Sequence, residues 1–303
     1  MRRKYPVGIE SFYDIRTGGY VYVDKTKYIY DLVDSGMYYF LSRPRRFGKS
    51  LLLSTMEEYF SGNRELFKGL AIEELESDWK SYPVLRLNLN GSITTEGKLN
   101  AILDYYLRRW EKTYGLDQPT SGEIDIRFSS CIEAAYKQTG QKVVVLVDEY
   151  EQPITDTLDN PELNQKHRDI LRGVYGCLKP LNRYLKFVFM TGVSKIGKLS
   201  VFSSLNNIED ISFNDKYDDI CGISETELIE YFSEDIDILA AKHHSESQEL
   251  KSQLRELYDG YHFSSNGVGV YNPFSLLYSF KSQKLGHYWF ASGTPTLLVN
   301  LIH

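Results

Sequence analysis

Tyr38-Tyr-Phe-Leu-Ser-Arg-Pro-Arg-Arg-Phe-Gly-Lys-Ser50 is the stretch on which the fold turns. Tyr38 to Ser42 is an apolar run bounded by Gly36 and Pro44, which predicts a short buried strand. Ser50 to Tyr59, rich in Leu, Met and Glu, predicts a helix. Between them stand Gly48, Lys49 and Ser50, the second half of the phosphate-loop pattern G-x-x-x-x-G-K-S/T. In such a loop backbone amides and a helix N-terminus surround phosphate oxygens, the lysine reaches the β/γ-phosphates, and the hydroxyl takes Mg2+. The first glycine of the pattern is absent, because Arg43 holds its position. A Gly-Lys-Ser tripeptide also arises by chance at a helix that begins with serine, so the rest of the chain has to decide.

The deciding partner is Val143-Val-Val-Leu-Val-Asp148-Glu149. Its β-branched run predicts a fully buried strand whose carboxyl end presents two acids. That is the Walker B arrangement, in which the Asp holds the Mg2+ shell and the adjacent Glu polarises the attacking water. Read blandly, the same residues are a core strand ending in two solvated acids. Ligands of open α/β sheets bind at strand carboxyl ends, and both motifs are placed there.

A second glycine-lysine segment, Gly192-Val-Ser-Lys-Ile-Gly-Lys198, satisfies the first part of the pattern literally. Leu199 stands where the metal-binding hydroxyl belongs, and a poor helix sequence follows, so it reads as a decoy. Thr191 closes the predicted strand Lys186 to Met190, where it either senses the γ-phosphate or caps a turn. Arg45 and Arg46 either bond phosphate oxygens, contact a different polyanion, or are solvated loop charges.

Outward from these motifs the chain alternates. Further elements expected are a helix at Lys25 to Ser35, helical residues 65–80, a strand at Val84 to Leu89, and helices at Leu99 to Tyr114, Ser129 to Thr139 and Leu163 to Leu178. Tyr20 to Asp24 reads as extended, and residues 115–125 as a loop. Alternation of strand and helix implies a parallel sheet covered on both faces. Beyond about residue 200 a loop-like stretch (203–222) precedes helical segments at Glu225 to Ala241, Ser247 to Tyr258 and Pro273 to Lys284. We therefore expect a core over residues 1–200 and a smaller, mostly helical lid or adaptor over 201–303.

The chain has 303 residues, 42% hydrophobic and 25% charged, enough to bury a real core and incompatible with a largely disordered chain. Its net charge of −6 argues against coating nucleic acid by global charge, though a local basic groove stays open. Cys131, Cys177 and Cys221 are widely spaced and odd in number, which fits a reducing compartment. The N-terminal basic residues precede no apolar stretch, and the strongest apolar run is far short of the ~20 residues a membrane span needs, so a cytoplasmic protein without membrane partners is expected. His243-His244 on a helix point about 100° apart and cannot readily chelate together, His262 lacks a partner, and Glu249-Leu-Lys251 has the E-x-K spacing of a nuclease without the strand that should precede it.

Tyr22-Val-Asp-Lys-Thr26, the Phe40 to Ser54 stretch, Val147-Asp-Glu-Tyr150, Leu205 to Ser212 and Val270-Tyr-Asn-Pro-Phe-Ser275 together resemble the bacterial AAA-ATPase-like family. The wording Arg43-Pro-Arg-Arg-Phe-Gly-Lys-Ser50 is distinctive, and the missing first glycine belongs to the resemblance. It implies an AAA-like P-loop core binding ATP and Mg2+. Arg45, Arg46, Phe47, Gly48, Lys49, Ser50 and Leu51 would hold the nucleotide, Ser50 and Asp148 the metal, and in the N-terminal lead-in, which often walls the adenine in such proteins, Ile9, Tyr22 and Tyr28 are candidates for that wall against plain packing. Glu149, Lys49 and Thr191 would be catalytic. It also implies that members continue into a nuclease domain of the PD-(D/E)XK type, towards which Phe290-Ala-Ser-Gly-Thr-Pro-Thr296 resembles the lead, so this chain is expected to be a truncated form. The reading is an ATPase that drives a conformational change in an attached or partner domain. No arginine finger in cis is obvious, with Arg168 and Arg172 as candidates, and a homo-oligomer would supply one in trans. The competing readings are a nucleotide-gated binding module with little turnover, a nucleic-acid-processing component, and a P-loop fold that binds no nucleotide.

Overall fold

A computed structural model of the chain describes residues 3–116, 122–195, 201–203 and 205–289. Helices α1 (Phe12–Gly18) and α2 (Thr26–Ser35) precede strand β1 (Tyr38–Ser42). Helices α3 (Lys49–Phe60) and α4 (Ala71–Leu75) lead to β2 (Val84–Asn88), and α5 (Lys98–Thr113) and α6 (Ile124–Thr139) lead to β3 (Val143–Asp148). Helices α7 (Gln152–Thr155) and α8 (Pro161–Gly176) precede β4 (Leu185–Gly192) and the short β5 (Glu209–Asp210). The chain then forms β6 (Ile223–Ser224), α9 (Glu225–Lys242), α10 (Ser247–Tyr258), β7 (Val270–Tyr271) and α11 (Pro273–Ser282).

Five strands make one parallel sheet in the order β2-β3-β4-β1-β5. The fold is therefore mixed α/β with a parallel sheet flanked by helices. Alternation sorts the side chains of β3: Val143, Val145 and Val147 enter one core, Val144 and Leu146 the other. The first core takes Leu99, Leu103 and Leu107 of α5 with Phe128 and Ile132 of α6. The second takes Leu53, Met56 and Phe60 of α3. A third cluster joins Leu228, Phe232 and Ile236 of α9 to Leu250 and Leu254 of α10 and Leu276 and Phe280 of α11.

Several expected elements differ. Residues 65–80 form a single 3-10 turn, Arg64–Phe67, and the short α4 rather than one helix, because Gly69 at a positive φ of 76° breaks the chain between them. Among the described residues Tyr20 to Asp24 pairs with no strand; Val21 donates its N–H to Lys4 O instead. The stretch expected as loop from 203 to 222 contributes β5, which pairs with β1 at the edge of the main sheet. Helix α6 begins at Ile124, inside the expected loop. Among the described residues no helix is long and apolar enough to cross a membrane. Residues 196–200 of the decoy and the stretch from Phe290 onward lie outside the described residues.

Candidate functional site

Parallel pairing brings the carboxyl ends of β1, β3 and β4 to one edge. Ser42 lies opposite Gly192, Leu41 opposite Thr191, and Val147 opposite Met190. The loop after β1 and the acids ending β3 therefore flank the end of β4 from its two sides.

The loop turns into α3 at Gly48, whose φ of 95° is left-handed and beside which a Cβ would find open space. Its carbonyl accepts from Leu52 N, starting the helix, while the first-turn N–H groups have no partner within a helix. Arg46 also has a positive φ, 67°, and its guanidinium stacks 4.2 Å from the Phe274 ring centre at the start of α11. Arg45 is exposed, and its carbonyl accepts from Trp289 Nε1 at 3.1 Å. Phe47 is a packing residue: its ring is buried against Tyr261 and Phe263.

Arg43, at the place of the absent glycine, is only 1% exposed. Its guanidinium donates to the carbonyls of Ser42, Ser212 and Tyr217 and stacks 4.0 Å from the Phe263 ring centre. Burial lowers its pKa. This arginine anchors the loop to the segment after β5, so the loop's shape here rests on a side chain rather than on a glycine turn.

Lys49 is buried, with Nζ 3.1 Å from Arg43 O, 3.3 Å from Pro44 O and 3.2 Å from Glu149 Oε1. Asp148 is fully buried; its Oδ1 accepts from Thr191 Oγ1 at 2.8 Å, and its Oδ2 has no hydrogen-bond partner. Glu149 sits at φ 54°, and its Oε2 is likewise unpartnered. Thr191, like Asp148, is fully buried and is not among the residues lining the cleft; its hydroxyl donates to Asp148.

A cleft of about 400 Å3 opens over these groups, lined by Arg45, Arg46, Gly48, Lys49, Ser50, Leu51 and Glu149. Its far wall comes from Pro6 to Glu10 on the N-terminal lead-in and from Pro273, Phe274 and Leu277 of α11. Glu10 has its pKa raised, first by burial and then by the negative charge of Asp148. A narrower apolar slot adjoins the cleft, sharing Gly48 and Leu51 and walled by Val21, Tyr22, Val23, Ile220 and Phe232. Of the candidates for walling a base, Tyr22 lines the slot and Ile9 the cleft. Tyr28 lines neither; its hydroxyl donates to Asp219.

The residues fit a magnesium nucleotide on two counts: unpartnered carboxylate oxygens on Asp148 and Glu149, and an open left-handed glycine beside a buried ammonium. Among the described residues no cluster of three or more His, Cys, Asp or Glu side chains could hold a metal ion. Arg168 and Arg172 do not line the cleft; Arg168 donates to Asn164 and Arg172 to Asp169. At the decoy, Gly192 packs against Tyr150 and Glu151, and Lys195 pairs with Asp210, so its described part forms no cradle. His243 and His244 are exposed.

Glu151 escaped the sequence reading. It is 3% exposed, and its Oε1 accepts from the N–H groups of Val193 and Ser194. Burial, then the charge of Glu149, pushes its pKa up to about 7. The signal was the third acid of Asp148-Glu-Tyr-Glu151. Glu10 and Phe274 carried no such signal, because only packing brings them to the loop.

A family model described as a predicted AAA-ATPase matches residues 6–202. The chain is also similar to an uncharacterized protein in the vnfD 5' region of Azotobacter chroococcum mcd 1, at 41% identity over 308 residues covering 99% of this chain and 56% of that protein. It thus spans little more than half the length of that relative. No solved structure matches the chain.

Proposed function

We propose, from the premise that the chain belongs to the AAA-ATPase-like family of predicted AAA-ATPases, that it binds ATP with Mg2+ and hydrolyses it to ADP and phosphate. The observation carrying this reading is that Lys49 and Glu149, far apart in sequence, meet at one cleft with Lys49 Nζ 3.2 Å from Glu149 Oε1, while the neighbouring Asp148 is fully buried with one carboxylate oxygen unpartnered.

In this reading Lys49 binds the β/γ-phosphates and the open N–H groups from Gly48 to Leu51 hold phosphate oxygens. Arg45 and Arg46 sit on the rim, where Arg46 exchanges its aromatic stacking for phosphate. Ser50 and Asp148 hold Mg2+, directly or through water, and Thr191 keeps Asp148 oriented. The metal, when bound, neutralises charge on the transferring phosphoryl group. Glu149, once released from Lys49, orients and deprotonates water. The apolar slot beside Leu51 takes the base.

We read the mostly helical part of residues 201–303 that follows β5 as a lid or adaptor, supported by Pro273, Phe274 and Leu277 walling the cleft; β5 itself belongs to the main sheet. Because no candidate finger lines the cleft, slow turnover is expected unless a neighbouring subunit supplies an arginine. A downstream nuclease domain or a nucleic-acid partner belongs to this proposal through the family resemblance.

A second reading, a nucleotide-gated module with little turnover, is favoured by the Lys49–Glu149 pair, since phosphate binding alone would break it. Titration with a fluorescent ATP analogue and an assay of Mg2+-dependent phosphate release separate the two. Binding with turnover supports the ATPase, binding without turnover the gated module, and wild-type binding by Lys49→Ala would remove the site.

A further inference from the structure

Glu151 has no part in the roles above, yet it is built into the end of the sheet. One carboxylate oxygen accepts two consecutive N–H groups, from Val193 and from Ser194 at 2.8 Å. The other has no partner and lies so close to Gly192 that a Cβ there would approach it to 2.2 Å. Glycine at 192 is thus what makes room for the carboxylate. The same two segments are joined three more times. Tyr150 N donates to Thr191 O at 3.0 Å, Tyr150 OH to Ser194 O at 3.2 Å, and Thr191 Oγ1 to Asp148 Oδ1 at 2.8 Å.

Between these ties stands Glu149 at φ 54°, a conformation that a side-chain-bearing residue keeps only where its surroundings enforce it. A buried carboxylate is costly unless its hydrogen bonds compensate, so Glu151 is no mere filler of an apolar corner.

We infer that Glu151 is a positioning residue for Glu149: by clamping Val193 and Ser194 to the turn after β3, it fixes the backbone of the candidate base and aims its carboxylate into the cleft. The inference rests on the ATPase reading of the site.

The test compares wild type, Glu151→Gln and Glu151→Ala by steady-state ATP hydrolysis and by hydrogen exchange at the Val193 and Ser194 amides. Glu151→Ala is expected to lower kcat about 10- to 100-fold with KM changed much less, since small misplacements of a reacting group cost that much. Glu151→Gln, whose amide oxygen can accept the same two bonds, recovers most of the loss. The two amides are protected in wild type and Glu151→Gln and exchange faster in Glu151→Ala. Should Glu151→Ala fail to fold, Glu151→Asp, one methylene shorter with the charge retained, is expected to show the same kcat loss. Wild-type kcat in the alanine or aspartate variant, or an equal loss in alanine and glutamine variants, overturns the inference. A wild type without turnover removes the ATPase reading instead, and rapid exchange of both amides in that wild type removes the clamp too.

Discussion

Lys49 Nζ and Glu149 Oε1 lie 3.2 Å apart, so the cation that would grip phosphate and the carboxylate that would activate water hold each other. Both side chains are largely shielded from solvent, where such a pair is screened much less than on a surface. Phosphate oxygens arriving at Lys49 would compete with Glu149 for its ammonium and free the carboxylate. In the proposed reaction, binding and activation of the base would thereby be linked through one contact.

Glu149→Gln is expected to keep nucleotide binding and lose about 10²- to 10⁴-fold in kcat, the usual contribution of a general base. The comparison to make is single-turnover phosphate release against affinity for a fluorescent ATP analogue. Unchanged turnover would remove Glu149 from the chemistry.

Lys49→Ala should weaken binding of the same analogue at least about tenfold, since a charge-assisted contact to phosphate is worth about 1.5–3 kcal/mol. Thermal melting of the ligand-free variant controls for the loss of the Lys49–Glu149 pair. Equal affinity in a folded variant would mean that the phosphates lie elsewhere.

Arg43→Gly restores the glycine of the general phosphate-loop pattern, yet it should damage the protein. The carbonyls of Ser42, Ser212 and Tyr217 lose their donor, and a cavity opens against Phe263. Destabilisation of about 3–5 kcal/mol in denaturant unfolding is expected, together with weaker nucleotide binding. A variant as stable as wild type would show that the arginine anchors nothing.

Glu151 makes stability fall as pH rises. Its carboxyl goes from an ordinary value of 4.5 to about 7 on folding, chiefly through burial and then through Glu149, against the Ser194 N–H and Lys49. The folded state therefore binds more protons than the unfolded state between those values, and stability is lost across that window, by about 3 kcal/mol at most. Glu151→Gln should flatten this part of the profile and melt higher than wild type at pH 8. Parallel melting profiles from pH 4.5 to 8 in the two proteins would contradict it.

Much of the fold was legible in short stretches of sequence, because strand and helix follow from the spacing of neighbouring side chains. Val143 to Val147 reads as a buried strand and is one, and Gly48-Lys-Ser50 marked the turn from a strand into a helix that the structure shows. The Asp148–Glu149 pair was visible for the same reason. What only the tertiary structure decided concerns contacts between segments with no local signal. Pairing register put Lys49 against Glu149 and Thr191 against Asp148. Packing brought Glu10 and Phe274 to the cleft wall, and β5 joined the sheet through pairing with β1, which its own two residues do not announce. Arg43 shows the division most plainly. Its sequence position marks a missing glycine, while its function as an anchor depends on carbonyls from Ser212 and Tyr217 that the fold delivers to it. Local periodicity is fixed by the order of side chains, but the meeting of distant groups is fixed by how whole layers pack.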